Sequence, residues 1–105
     1  ILGIEGETWT EWMDSFSFVQ FKIHPRLEAL SEVAWTPESK RNYAQFVKRY
    51  MAYKSVYKPL GINFAADEIA MPKNPFKRAL IYRKFFSGDP EYEFRENNKL
   101  KEIRK

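Results

Sequence analysis

The sequence predicts a mostly α-helical chain, and three observations predict it. Apolar residues recur at helical spacing through residues 15–34 and again through about 37–57. Two cap-then-proline pairs, Thr36-Pro37 and Asn74-Pro75, mark helix starts. Only residues 1–8 read as a strand, so no sheet can close within the chain itself.

The elements follow in order. Ile1, Leu2 and Ile4 suit a short buried strand, although Gly3 and Gly6 weaken one unless another part of the chain comes close. A helix is expected over 15–34, capped by Asp14 or Ser15, with Ile23, Leu27, Leu30 and Ala34 along one face. Pro25 lies inside it and predicts a kink or restart near His24. Thr36 as N-cap and Pro37 as the first residue predict a second helix running to Tyr57 or Lys58. Its inner face carries Tyr43, Phe46, Val47, Tyr50, Lys54 and Tyr57, and Pro59 and Gly61 end it. Residues 61–75 read as a loop and about 76–86 as a short helix. Residues 91–105 are charged, and either an exposed helix or a loose tail fits them.

Composition bounds the function. The 105 residues suffice for one small globular domain, and 44% hydrophobic with 17% aromatic is not a disordered composition. There is no cysteine, so disulfides and thiolate metal sites are excluded. No apolar run reaches the length of a membrane span. The net charge of +4 is unevenly placed. Residues 1–71 hold eight Lys/Arg against nine Asp/Glu, whereas residues 72–105 hold ten against five. Any polyanion partner would therefore meet the tail. His24 is the lone histidine, and without a cysteine or histidine partner a zinc site is not expected. The four glycines, at 3, 6, 61 and 88, form no phosphate-binding loop.

The densest functional stretch is Thr8-Trp9-Thr10-Glu11-Trp12. An indole presents a flat apolar face to a pyranose, and a neighbouring carboxylate accepts hydrogen bonds from its hydroxyls. On composition alone the plainer alternative is the stronger: tryptophans as core anchors and Glu11 as a surface charge.

Three segments, taken together, resemble the C-terminal part of the catalytic domain of family 20 glycoside hydrolases, the β-N-acetylhexosaminidases. Ile1-Leu2-Gly3-Ile4-Glu5-Gly6-Glu7-Thr8-Trp9-Thr10-Glu11 is similar to the end of the family's last barrel strand, which reads Leu-Gly, a few residues, then Trp-Thr-Glu. His24-Pro25-Arg26 through Glu32-Val33-Ala34-Trp35 resembles the following helix, with Ser31 where an alanine is usual. Leu60-Gly61-Ile62-Asn63-Phe64 resembles the finish of the family's closing helix. The resemblance covers residues 1–64.

It implies that the chain is a C-terminal fragment of a TIM (β/α)8 barrel, namely the last strand and last helices, followed by a basic helical extension over 65–105. That Ile1 is not a methionine agrees with such a fragment. By the same resemblance Trp9 and Glu11 are substrate-binding residues. Trp9 would wall the pocket for a terminal N-acetylhexosamine, and Glu11 would accept from hydroxyls on the far side of that sugar. Arg26, Glu32 and Trp35 are expected to be structural, with Trp35 in the core. The family's mechanism is substrate-assisted. The substrate's acetamido oxygen attacks the anomeric carbon, an Asp orients it, and an adjacent Glu protonates the leaving oxygen. That Asp-Glu pair belongs to an earlier strand, so no catalytic residue is expected in this chain. Asp67-Glu68 follows the final helix and reads as a solvated loop.

The resemblance implies no cofactor and no metal. It implies an N-acetylhexosamine-terminated glycan as the parent's substrate, the remainder of the barrel as the partner of residues 1–64, and an exported, periplasmic or cell-surface location. Alone, the chain is expected to be inactive and prone to self-association through its open strand edge and uncovered helix faces. The alternative is a small basic helical module binding nucleic acid or another polyanion. It would use Lys73, Lys77, Arg78, Arg83 and Lys84, interleaved with Phe76, Tyr82, Phe85 and Phe86. The plainer reading of that stretch, an amphipathic helix with its aromatic face inward, outweighs it.

Overall fold

The computed structural model describes residues 2–105; Ile1 lies outside the described residues. The chain divides into two compact units, Ile1–Phe64 and Ala65–Lys105.

The first unit contains α1 (Phe16–Ile23), α2 (Arg26–Trp35), a 3-10 turn at Glu38–Lys40 and α3 (Tyr43–Tyr57). Ser15 caps α1, its hydroxyl accepting from the Phe18 amide. The expected break at Pro25 separates α1 from α2, and the His24–Pro25 peptide is cis. Arg26 secures the break: its guanidinium donates to the carbonyls of Lys22 at 3.0 Å and Phe21 at 3.3 Å, covering the free end of α1.

α3 begins later than the sequence suggested. Pro37 has an extended backbone, and Thr36 closes α2 rather than opening α3. The reason lies in Arg41, which donates to the Val33 and Thr36 carbonyls, both at 3.0 Å, and so uses the intervening residues to finish α2. Asn42 is the actual N-cap of α3, accepting from the Gln45 amide at 3.0 Å. The far end agrees with the sequence: α3 stops at Tyr57, and Gly61 turns the chain with a φ of 65°.

Phe18, Phe21, Tyr50, Tyr57 and Phe64 form the core of this unit. The Tyr57 ring lies 5.2 Å from the Phe64 ring and 5.2 Å from the His24 ring. The stripe expected to be inward, Ile23, Leu27, Leu30 and Ala34, is not what is buried; Leu27 and Ala34 are exposed. Lys54 packs its ammonium over the Tyr50 and Phe64 rings, at 5.9 and 5.8 Å. Asn63 returns the chain to α1: its side-chain amide donates to the Ser17 carbonyl and hydroxyl, and its backbone N–H to Gln20.

The second unit contains α4 (Asp67–Ala70), α5 (Pro75–Phe86) and α6 (Tyr92–Ile103). α4 replaces the middle of the expected loop. α5 starts where Asn74-Pro75 indicated, with Asn74 accepting from the amides of Phe76 and Lys77. The tail forms α6. Ala65, Ala66, Ile69 and Ile81 are the apolar core, with Asn97 wholly buried among them. The Asn97 side-chain oxygen accepts from the Ala66 amide at 2.7 Å, which fixes the start of α4 against α6.

The expected strand does not form. Among the described residues the fold is entirely helix, turn and irregular chain, and residues 2–10 have no regular structure. A strand owes its ladder to a neighbouring strand, and the described residues supply none.

Candidate functional site

Trp9 and Glu11 lie together in one shallow, open depression lined by Glu7, Thr8, Trp9, Thr10 and Glu11. A turn in which the Met13 amide donates to the Thr10 carbonyl at 2.9 Å bends the chain just beyond it. Trp9 is 68% exposed, so it is not a core anchor. Its indole N–H donates to Glu7 Oε2 at 3.0 Å. That bond restrains the ring and occupies the Glu7 carboxylate. All five lining residues are consecutive, so the depression has a floor but no opposing wall. It can offer a ring face and a carboxylate; it cannot enclose a sugar.

The other motif residues take structural parts. Arg26 covers the end of α1, and Glu32 pairs with Arg49 across α2 and α3. Trp35, expected in the core, is 88% exposed at the end of α2. Gly6 is where close approach matters: a Cβ there would lie 2.7 Å from Leu30 Cδ2, so the absent side chain lets the chain lie on α2.

Sequence reasoning missed a cluster around Glu28. Its Oε1 is hydrogen-bonded to His24 Nδ1 at 2.6 Å and accepts from the Tyr57 hydroxyl. Burial, and then the Glu28 carboxylate, push the Tyr57 phenol well above its ordinary range. The i, i+4 spacing of His24 and Glu28 was visible, but the Tyr57 contact spans 29 residues and needed the fold.

Asp67 and Glu68 begin α4 rather than a loop, and Glu68 pairs with Arg104. That contact, led by the Arg104 hydrogen bond, holds the Glu68 carboxyl below its usual range. On α5 the expectation is reversed: Ile81 is buried, whereas Phe76 and Phe86 are 85% and 80% exposed. Lys84 lies partly covered, its ammonium 5.7 Å from the Tyr92 ring. Among the described residues no three His, Asp or Glu side chains are grouped to hold a metal, and no helix is long and apolar enough to cross a membrane.

Comparison with known proteins bears out the resemblance. Residues 1–38 match the model of the glycosyl hydrolase family 20 catalytic domain. A β-hexosaminidase of Porphyromonas gingivalis is 29% identical over 75 residues, which is 71% of this chain and 9% of that protein. A β-N-acetylhexosaminidase of Cellulomonas fimi is 27% identical over 73 residues, 69% of this chain and 15% of that protein. The chain thus spans only a small part of the length of these curated relatives. No solved structure matches it.

Proposed function

We propose that this chain, related through its first 38 residues to the family 20 catalytic domain, is the C-terminal end of a β-N-acetylhexosaminidase barrel. The observation that carries the reading is that match combined with coverage. The chain aligns over most of its own length with hexosaminidases, yet accounts for 9% and 15% of theirs. On this reading residues 1–64 complete the barrel and present Trp9 and Glu11 to the sugar pocket.

The geometry around Trp9 supports the assignment. A restrained, solvent-facing indole is a stacking platform for the apolar face of a pyranose. On this reading Glu11, in the same depression, accepts from hydroxyls of the sugar. These residues bind and orient. Attack by the substrate's acetamido oxygen and protonation of the leaving oxygen belong to groups elsewhere in the whole enzyme. The 105-residue chain alone is therefore inactive.

The test has two parts. Reading the coding DNA upstream of Ile1 should show an open frame with an Asp-Glu pair at the end of a strand-like segment; a start codon immediately before Ile1 would refute the reading. In the encoded enzyme, Trp9→Ala should cost about 1–3 kcal/mol of substrate stacking. Unchanged kinetics would remove Trp9 from the pocket.

A further inference from the structure

A second site lies in the first unit, away from Trp9. A groove of about 470 Å³ runs between α2 and α3. That size falls within the range of small-molecule sites. Its polar lining includes Glu28, Ser31, Glu32, Thr36 and Arg49; Trp35 and Tyr53 are aromatic edges, both well exposed.

One atom makes this more than a gap between helices. Glu28 Oε1 is used by His24 and Tyr57, but Glu28 Oε2 is shielded from solvent and has no hydrogen-bond partner. An unsatisfied carboxylate oxygen is costly, and a ligand O–H or N–H would relieve it.

The remaining lining decides what kind of ligand. Arg49 and Glu32 pair with each other across the groove, so neither presents a free charge to an ionic ligand, and Arg49 keeps further N–H donors. A neutral ring bearing hydroxyls suits all of them. One hydroxyl donates to Glu28 Oε2, another accepts from Arg49, and the apolar ring face lies on Trp35. We propose that the α2–α3 groove is an auxiliary carbohydrate site that takes a single neutral pyranose. It does not depend on the Trp9–Glu11 reading, because the two sites share no residue.

The three tryptophans make the test selective. Each gives its own indole N–H signal in a proton–nitrogen correlation spectrum of the labelled 105-residue chain. Titration with methyl β-D-glucopyranoside should move the Trp35 signal saturably, with Ser31 and Arg49 following. Trp35→Ala, at an exposed position that leaves the core intact, should weaken binding about tenfold as read at Ser31. Glu28→Gln, which replaces an acceptor with a donor in some orientations, should weaken it comparably. The proposal is overturned if no signal in the groove moves, or if Trp35→Ala binds as well as the parent chain. It is equally overturned if tetramethylammonium or acetate shifts Trp35 in place of the sugar. A sugar-dependent shift confined to Trp9 would also overturn it, while leaving the Trp9 assignment standing.

Discussion

Replacing Tyr57 by phenylalanine isolates one hydrogen bond and one ionisation. The ring stays, so its packing against Phe64 and His24 is retained and the only volume lost is an oxygen. What disappears is the donation to Glu28 Oε1. A hydrogen bond to a charged group contributes roughly 1.5–3 kcal/mol. Glu28 keeps its His24 contact, so the lower part of that range applies, about 1.5–2 kcal/mol. For a unit of this size that corresponds to a fall in Tm of roughly 6–16 °C. The pH dependence supplies a second readout. The fold favours the protonated phenol, raising its pKa above the ordinary 10.0. Its stabilisation is therefore complete below pH 10.0 and is lost as the pH rises towards the folded-state value. Urea unfolding followed by circular dichroism, at neutral and at alkaline pH, measures both. The phenylalanine variant should be less stable at neutral pH and should lose part of the alkaline decline. A variant within about 0.5 kcal/mol of the parent, with the same alkaline slope, would refute the bond and the linkage together.

Further predictions concern the two cores and the acid side. Phe21 is fully buried, so Phe21→Ala should cost about 3–5 kcal/mol, enough to unfold most of the first unit, seen as lost amide dispersion for residues 16–57. Asn97→Ala strands the buried Ala66 amide and should destabilise the second unit by about 1–3 kcal/mol, read as faster hydrogen exchange in α4 and α6. Asp89 and Glu68 titrate below their usual ranges, held there first by hydrogen bonds from Arg95 and Arg104 respectively. Their contribution is present above the ordinary carboxylate range and is lost as the pH falls through the lowered values. Acid titration of helicity should therefore show a decline that Arg95→Ala and Arg104→Ala both flatten.

Much of the helical layout was legible. Pro25 broke the first helix, Asn74-Pro75 opened α5, and Gly61 ended the turn after α3, because each acts through local backbone chemistry. Thr36-Pro37 misled for a reason that is not local: Arg41 reaches back to the α2 carbonyls and delays the next helix to Asn42. The inward face was misread for a related reason. Periodicity showed that Leu27 and Ala34 share a face, but the burial went to Phe18, Phe21 and Tyr50, and spacing alone does not say which face meets the rest of the unit. The strand over residues 1–8 failed because pairing is a property of neighbours, not of composition.

The sequence alone determined the helix-rich class, the resemblance to the family 20 catalytic domain and the candidacy of Trp9 and Glu11, since motif spacing and capping residues are written along the chain. Only the tertiary structure could decide that Trp35 stands in solvent, that Asn97 closes on Ala66, and that Glu28 gathers His24 and Tyr57 while leaving one buried oxygen without a partner. Those outcomes depend on which distant surfaces meet, and burial and hydrogen-bond satisfaction are set by that meeting.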